Sequence, residues 1–358
     1  MIDVTDPTQP VGLGYYPVLV SADAVALDGE RAYFLTDNWM QILDLSGTYP
    51  PPLLGYLQLS YLHGVSVQAP LVAIVASSYL RLYDVSNPAE PILRGLLYLL
   101  DNSRGVTLAG ERAYVWTIEG LEIVDVADPS APVRLGTFAL DGIEEVQASG
   151  NYVYAATTTI GLAILDVSNP MAPTLAGQVS AIGTARAVRV QPPYAYVTGA
   201  LHDLIVVDIS VPTAPAIVGT YDSIWMSGRH LLLRDPYVFI ASLSRVEAVD
   251  VRVPTAPTGA GSLDAPSMDD LAMMGNRIVL AGYDGLTVYQ TNLSPAGDLN
   301  CDGVVDFGDI NPFVLALTDP ASYESYFPEC SRYNGDLNFD GLFDFADINP
   351  FVALLSGP

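Results

Sequence analysis

The sequence contains no lysine, and its 14 basic residues are all arginines, set against 40 acidic residues and a formal net charge of −26. Nucleic acid is therefore a poor partner, because phosphate binding needs a basic protein face. An anionic membrane surface is disfavoured for the same reason, and Schiff-base chemistry on a lysine is excluded. Half of the residues are hydrophobic and 15% are charged, which is typical of a folded chain rather than a disordered one.

Long apolar runs and a leader are also missing. No run reaches 18 apolar residues, so neither a transmembrane helix nor membrane insertion is expected. The start, Met-Ile-Asp-Val-Thr-Asp-Pro, lacks the basic and apolar regions of a signal peptide and begins in the middle of the repeat described below. We therefore expect a truncated or processed start whose leader has been removed.

Cysteine is scarce, since Cys301 and Cys330 are the only two in the sequence. One interpretation is two free thiols. The other is a disulfide that cross-links a segment of about 60 residues, which is too small to be very stable without such a link. We expect the disulfide, because an oxidising compartment outside the cell also supplies the calcium that the same segment is predicted to bind.

Familiar catalytic patterns are absent. His202 and His230 share no ligand spacing with each other or with a carboxylate cluster, so no zinc site is expected. There is no Gly-x-Ser-x-Gly motif and no glycine-rich phosphate loop. Two carboxylate pairs occur, Glu144-Glu145 and Asp269-Asp270. Adjacent strand residues point to opposite faces, so neither pair is expected to act as a facing acid and base.

One phrase recurs along the first 290 residues, as in Leu82-Tyr-Asp-Val-Ser-Asn-Pro and Ile164-Leu-Asp-Val-Ser-Asn-Pro, and its aspartate repeats every 40 to 42 residues. These aspartates are Asp3, Asp44, Asp84, Asp125, Asp166, Asp208 and Asp250. Strand-rich units of this period are typical of β-propeller blades. We expect the aspartates to accept hydrogen bonds from the turns that follow them, and not to act in catalysis.

Each unit predicts four strands, and there are seven units. Their first strands are centred on Val25, Val65, Val106, Val146, Val188, Leu231 and Leu271. The last unit stops after its third strand, residues 286–290, while a spare fourth strand, residues 11–16, precedes the first unit. We expect residues 11–16 to pair beside residues 286–290. An all-β, seven-bladed ring of four-stranded blades is then closed, without open sheet edges.

A polar or charged side chain stands two positions before every first-strand centre. These residues are Asp23, His63, Arg104, Glu144, Arg186, Arg229 and Asp269. Because the first strand of a propeller blade is innermost, we expect the seven to surround one mouth of the central channel. Two interpretations stay open: ion pairs that tie blade to blade, which suit guanidinium groups, or a polar binding site at the mouth.

The C-terminal segment carries two acidic loops 38 residues apart, residues 298–309 and 336–347. Each has oxygen side chains at positions 1, 3, 5, 9 and 12 and glycine at position 6, a spacing that lets a short loop wrap Ca²⁺. The predicted ligands are Asp298, Asn300, Asp302, the Val304 carbonyl, Asp306 and Asp309, and then Asp336, Asn338, Asp340, the Leu342 carbonyl, Asp344 and Asp347. Four carboxylates per loop repel one another, so two Ca²⁺ ions are expected to order this segment.

Each loop is followed by Asp-Ile-Asn-Pro-Phe-Val and an apolar run, which predicts helices over residues 309–317 and 347–355. The residues expected to pack the helices together are Phe313, Val314 and Leu317, with Phe351, Val352 and Leu355. No helix is expected before the first loop. The unit is therefore a half EF-hand, loop then helix, used twice in a small α-helical module.

These motifs resemble two families. The repeated Gly-Leu-x-Ile-Val-Asp-Val phrase, over residues 1–293, resembles the LVIVD repeat, which implies a β-propeller on a secreted or surface bacterial protein. Residues 297–357 resemble a type I dockerin, which implies Ca²⁺-dependent attachment to a cohesin domain of a secreted, often polysaccharide-degrading assembly. Its partner-facing positions match Phe307-Gly308 and Phe345-Ala346 here, where Ser/Thr pairs are common in the family.

The expected organisation is a propeller over residues 1–292, a linker over 293–296 and a dockerin module over 297–358. The favoured function is a secreted, monomeric, non-catalytic binding or scaffold protein, extracellular or on the cell surface and linked to polysaccharide catabolism. Its propeller is expected to meet a glycan or cell-surface ligand, and its module a cohesin-like domain. The alternatives are a propeller glycoside hydrolase or polysaccharide lyase anchored by the same module, and an assembly device with no soluble ligand.

Overall fold

The computed structural model describes most of the chain. The described residues are 11–17, 22–36, 38–46, 50–223, 228–234, 236–242, 244–265, 268–274, 277–283, 285–290, 297–301, 305–327, 330, 332–337 and 343–356. The predicted linker, residues 293–296, and the first ten residues lie outside these ranges. No helix within them is long and apolar enough to cross a membrane.

Within the described ranges, 28 strands form seven antiparallel sheets of four strands each. Strand β1 (Val11–Pro17) comes first in the chain and belongs to blade 7. Blade 1 holds β2 (Ala22–Asp28), β3 (Arg31–Thr36), β4 (Trp39–Asp44) and β5 (Leu53–Gln58); blade 2 holds β6 (Leu62–Gln68), β7 (Leu71–Ala76), β8 (Tyr79–Asp84) and β9 (Ile92–Tyr98); blade 3 holds β10 (Ser103–Ala109), β11 (Arg112–Thr117), β12 (Gly120–Asp125) and β13 (Val133–Ala139); blade 4 holds β14 (Ile143–Ser149), β15 (Tyr152–Thr157), β16 (Gly161–Asp166) and β17 (Thr174–Val179).

The remaining blades follow the same order. Blade 5 holds β18 (Ala185–Gln191), β19 (Tyr194–Gly199), β20 (Leu204–Asp208) and β21 (Ala216–Tyr221); blade 6 holds β22 (His230–Arg234), β23 (Tyr237–Ala241), β24 (Arg245–Asp250) and β25 (Thr258–Asp264); blade 7 holds β26 (Met268–Met274), β27 (Arg277–Gly282) and β28 (Gly285–Gln290), with β1 outermost. The predicted seven-bladed propeller of four-stranded blades is confirmed.

The second strand of a blade is apolar on both faces, because neighbouring blades cover it on both sides. In β3 the five residues after Arg31 are all buried, and β7 and β15 repeat this pattern. Outer strands such as β9 instead expose most of their side chains. Hydrophobic clusters fill the seven interfaces between neighbouring blades, and the one between blades 7 and 1 includes Phe34 and Leu286.

The N-terminal strand closes the ring as predicted. Strand β1 pairs antiparallel with β28, from Val11 opposite Gln290 to Pro17 opposite Gly285. The Tyr16 ring meets the Phe34 ring of blade 1 edge-on, with centroids 6.1 Å apart. The closing strand therefore joins blade 7 and also packs against the next blade.

The repeated aspartates act as predicted. In each of the six described copies, Oδ1 accepts a hydrogen bond of 2.8–2.9 Å from the backbone N–H two residues later, as from Ser86 to Asp84 and from Ser168 to Asp166. Four copies also have a nearby serine hydroxyl, which is the largest cause of a pKa below the usual range for Asp44, Asp84, Asp166 and Asp208. A residue needed once per blade is a turn-forming residue.

The C-terminal segment contains the helices α1 (Ile310–Thr318), α2 (Pro320–Tyr326) and α3 (Ile348–Ser356). Helices α1 and α3 were predicted, whereas α2 was not. The signal for α2 lies in Asp319-Pro320: the Asp319 side chain accepts the Ser322 N–H, and proline occupies the first turn.

The two loop-helix halves meet through their phenylalanines. Phe313 and Phe351 are buried and stack with ring centroids 4.0 Å apart. The predicted packing of Val314 and Val352 is wrong, since both side chains are about half exposed. Each valine follows its phenylalanine by one residue, about 100° further around the helix, and so leaves the interface. Ala316 fills the core instead, beside the partly buried Leu317 and Leu355.

Cys301 and Cys330 form a disulfide that joins the first loop to the segment after α2. Beside it, the Asn334 side-chain amide donates to the Asp298 carbonyl at 2.9 Å. The Asn334 Oδ1 accepts a 3.3 Å hydrogen bond from Arg234 at the end of β22. Asn334 thus links the first loop to blade 6 of the propeller.

Candidate functional site

Local strand irregularities place the predicted ring residues. In six inner strands the register skips one residue, as in β2, where Ala22 and Ala24 face Thr36 and Leu35. The skipped residues are Asp23, His63, Arg104, Glu144, Arg186 and Asp269. In blade 6, Arg229 lies just before β22, and its backbone N–H donates to the Ala241 carbonyl at 2.8 Å. Each of the six is the extra residue of a β-bulge, which re-aims a side chain and bends the strand.

All seven ring residues line one cavity of about 990 Å³, which follows the inner strands of the propeller. Six of them are exposed, and Arg186 is half-buried. A second cavity of about 630 Å³ shares His63, Arg104 and Glu144, and widens the opening over blades 2 to 4. The mouth of the channel is thus a broad polar opening.

The paired carboxylates lie at two of these bulges. Strict alternation predicts that Glu144 and Glu145 point to opposite faces, and likewise Asp269 and Asp270. All four line the same cavity. Glu145 and Asp270 accept backbone N–H groups of the neighbouring blades 5 and 1. That neither pair acts as a facing acid and base stays a prediction.

A second set of charged residues lines the same cavity and was not predicted from the sequence. It consists of Glu145, Arg189, His230 and Asp270, and is called the second tier below. Glu145 accepts a hydrogen bond from the Val188 N–H at 2.9 Å and pairs with Arg189, both in blade 5. Asp270 accepts the Val25 N–H of blade 1 at 2.9 Å, and its Oδ1 lies 3.6 Å from Nδ1 of His230. Burial raises the pKa of Asp270, and the charge of His230 opposes that rise. These acids satisfy backbone donors on the inner edge of the neighbouring blade.

The three arginines of the ring differ from five other arginines of the chain. Among the described residues, salt bridges of 4.0 Å or less form on Arg94, Arg134, Arg189, Arg245 and Arg252. None of these bridges, within the same set of residues, involves Arg104, Arg186 or Arg229. The Nε of Arg186 is also buried, with no hydrogen-bond partner among those residues. Among the described residues, the ion pairs between blades are therefore formed by the second tier and not by the ring arginines.

One aromatic side chain joins the wall. Trp116 of β11 lines the cavity, and its ring lies against Gly105 so closely that a Cβ there would come within 2.0 Å of it. Gly105 directly follows the bulged Arg104, so only glycine lets the indole reach this position.

The C-terminal loops close in the same way twice. The Asp309 carboxylate accepts the N–H groups of Leu299 at 2.7 Å and Asp306 at 2.9 Å. Asp347 repeats this with Leu337 at 2.8 Å and Asp344 at 2.9 Å. Position 12 of each loop is therefore folded back onto positions 2 and 9.

Several of these acids are fully buried, namely Asp298, Asp309 and Asp347. Burial and the charges of Asp298 and Asp309 raise the pKa of Tyr323, whose hydroxyl donates to the Leu299 carbonyl at 2.8 Å. Buried carboxylates are costly unless they are paired or coordinate a metal. An all-oxygen donor set of this kind fits Ca²⁺.

Five predicted ligands lie outside the described residues: Asp302, Val304, Asn338, Asp340 and Leu342. Among the residues that are described, no group of three or more His, Cys, Asp or Glu is placed to hold a metal ion. The side chains of Asn300 and Asp336 are partly buried, and those of Asp306 and Asp344 are exposed. The predicted ligand set is therefore only partly covered by the described ranges.

The two halves of the module also expose matching residues. Phe307 is 76% exposed and Phe345 is 72% exposed, while Val314 and Val352 are 51% and 54% exposed. Gly308 and Ala346, which adjoin the phenylalanines, are exposed as well. The values agree closely, so the two halves expose matching surfaces.

Comparison with known proteins supports the propeller. The LVIVD repeat model matches residues 73–97, 102–139, 143–181 and 182–223, so the chain carries four LVIVD repeats, in blades 2 to 5. No curated protein matches the chain. The expectation that the LVIVD resemblance spans the whole propeller is thus met for these four repeats.

Solved structures share the fold at very low identity. The WD40 β-propeller domain of Doa1 aligns with a TM-score of 0.63 and 10% identity, over 77% of this chain and 95% of that one. Sqt1 of Saccharomyces cerevisiae gives 0.60 and 8%, over 79% and 99%. The computationally designed Ika8 protein gives 0.58 and 9%, over 78% and 99%. These similarities establish the architecture alone.

Proposed function

We propose that this chain is a secreted, non-catalytic binding protein. Its C-terminal segment is a dockerin-like module that folds around two Ca²⁺ ions and attaches to a cohesin-like domain of an extracellular assembly. Its propeller is the interaction platform that the assembly displays. The observation that carries this proposal is the duplicated surface of the module, where Phe307 and Phe345 project to equal extents beside identically closed acidic loops.

The chemistry of each loop supports the calcium step. Asp298, Asn300, Asp306 and Asp309 belong to the first loop, and the last of these is fully buried. Bound Ca²⁺ supplies positive charge that offsets the mutual repulsion of the carboxylates, so binding and folding are coupled. The chain's own groups set the loop shape through the backbone N–H donors that hold Asp309 and Asp347.

The docking step is testable with a panel of purified type I cohesin domains and the full chain. We expect binding in calcium and none in EDTA. Because each half presents the same surface, Phe307→Ala or Phe345→Ala alone should cost about twofold, the loss of one of two equivalent sites. The double variant should lose about 30-fold or more, as expected when a central aromatic is removed from an interface.

Tyr326→Ala is the matched control, since this side chain is 75% exposed on the same module but lies outside both loops. It should bind as the unchanged chain does. Binding by no cohesin of the panel, or equal binding by the double variant, contradicts the proposal.

A second candidate, a polysaccharide-degrading hydrolase or lyase, is favoured by one observation. The carboxylates of Glu144, Glu145, Asp269 and Asp270 share a cavity with His63. Against it, Glu145 and Asp270 are occupied as acceptors of backbone and side-chain donors. Incubation with polysaccharides decides between the two: new reducing ends or unsaturated products that vanish in Glu144→Gln identify an enzyme, and their absence supports a binding protein.

A further inference from the structure

We propose that the mouth of the central channel binds an acidic sugar, whose carboxylate is held by Arg186 and Arg229 and whose hydroxyl groups donate to the acids of the ring. This inference deepens the proposed binding role of the propeller and does not depend on the calcium module. It names both a site and a ligand class, the uronic acid units of a polysaccharide.

The first argument is the state of the ring arginines. Arg186 and Arg229 stand on neighbouring blades, 5 and 6, and both line the same cavity. Neither forms a salt bridge with a described acid, although Arg189, three residues after Arg186 and in the same cavity, is paired with Glu145. The residues of the second tier thus pair with one another, Arg189 with Glu145 and His230 with Asp270. The guanidinium groups of Arg186 and Arg229 are left for a ligand. A planar fork of N–H donors is suited to a carboxylate.

The second argument is the rest of the ring. Glu144 lies on blade 4, beside the arginine blades, and Asp269 and Asp23 lie on blades 7 and 1. The ring holds three arginines and three acids, so its formal charge balances. An anion that has no hydroxyl donors, such as a polyphosphate, gains nothing from the acids of such a ring and meets a chain of net charge −26. A ligand with one carboxylate and several hydroxyl donors per unit can pair with the arginines through the carboxylate and donate to the acids through the hydroxyls.

The third argument is shape. The cavity measures about 990 Å³, and its opening continues into the neighbouring 630 Å³ space over blades 2 to 4. Ligand sites commonly span about 300–1,000 Å³. The half-buried Trp116 contributes an aromatic surface to the wall. The mouth therefore has room for several linked sugar units rather than for a single small anion.

The experiment is titration calorimetry on the full chain with oligogalacturonate and oligoglucuronate. The reference ligands are the same oligosaccharides with their carboxylates reduced to alcohols, and inorganic phosphate. We expect at least one oligouronate to bind, and its reduced form to bind at least about tenfold more weakly, because the charge-assisted hydrogen bonds are lost. The titration is repeated in EDTA, where binding should persist, so that failure of the calcium proposal is separable from failure of this one.

The variants are Arg186→Gln and Arg229→Gln, each expected to weaken binding about tenfold or more at an unchanged melting temperature. Arg94→Gln is the matched control, because Arg94 pairs with Asp84 on an outer strand, and its affinity should stay the same. If a glutamine variant loses stability, Arg186→Lys and Arg229→Lys keep the charge and remove the planar fork, and an intermediate loss is expected.

Three results overturn the proposal. The first is that neither oligouronate binds, or that the reduced oligosaccharides bind equally well. The second is that phosphate binds as tightly as the oligouronates, which indicates a simple anion site. The third is that well-folded Arg186 and Arg229 variants bind as the unchanged chain does.

Discussion

The propeller and the C-terminal module are stabilised in different ways. Within the described residues, each of the seven interfaces between blades contains nine to fourteen buried apolar residues, whereas the module has a single cluster of six. The module adds a disulfide and concentrates fully buried acids around its loops. A small segment that buries little apolar surface is stabilised by a covalent cross-link, while the propeller is stabilised by its repeated interfaces.

Calcium removal should produce the largest difference in stability between the two regions. In calorimetry with calcium about a thousand times above its Kd, each proposed site should stabilise the module by about 4 kcal/mol. We therefore expect EDTA to abolish the unfolding transition of the module and to leave that of the propeller in place. Asp309→Ala should give half of this effect, and Glu324→Gln, an exposed acid outside the loops, none. A module transition that is the same in EDTA would show that the acidic loops fold without metal.

Loss of the disulfide is the next largest effect. Cys301 and Cys330 are 29 residues apart, and closing a loop of this size is worth about 3–4 kcal/mol through the entropy of the unfolded chain. The double change Cys301→Ser with Cys330→Ser should lower the melting temperature of the module and its calcium affinity. The transition of the propeller serves as the internal control. If that transition moves equally, the two regions unfold as one unit.

Weakening strand β1 tests how much the closure of the propeller contributes to its stability. Tyr16→Ala removes the half-buried ring that packs on Phe34, and we expect a loss of about 2 kcal/mol from the propeller transition alone. Tyr98→Ala is the matched control, because this tyrosine is also on an outer strand but is mostly exposed. Equal losses for the two variants would mean that the closing strand has no special role. Chemical denaturation monitored by tryptophan fluorescence gives both values.

Acid should affect the propeller by a smaller amount. The serine hydroxyls lower the pKa of Asp84 and Asp166, so the ionised aspartates stabilise the fold above about pH 4, the unfolded value, and this contribution is lost as the pH falls further. Melting temperatures between pH 2 and 6 should fall less steeply for Ser86→Ala with Ser168→Ala. Ser60→Ala, an exposed serine outside these turns, should follow the unchanged chain. Parallel curves for all three proteins would contradict this assignment.

The fold of the propeller could be predicted well because its sequence signals are local and repeated. The period of the aspartates, the turns after them and the apolar second strands gave the blades. The missing fourth strand of the last unit implied that β1 closes the ring, as the structure confirms. Each inference needed only the alternation of strand residues and the spacing of turns.

The details of the site were harder to predict. No residue type predicts the bulges at Glu144 and Asp269, so their positions could not be read from the sequence. Glu145, Arg189 and His230 act between blades, and such contacts depend on the three-dimensional arrangement rather than on sequence spacing. In the module, helical periodicity placed Phe313 and Phe351 correctly but assigned Val314 and Val352 to the wrong face. The short helix α2 was missed although Asp319-Pro320 marks its start.

Closure by β1 has a consequence for synthesis on the ribosome. Val11 pairs with Gln290, so one half of this ladder is translated long before the other. At about 5–20 residues per second, the early strand waits roughly 15 to 55 seconds for its partner. Throughout that interval the nascent arc has two unpaired ends that can recruit other chains. The interval before β28 is made, rather than the folding of any single blade, is therefore the time at which a cell has most reason to guard this protein against aggregation.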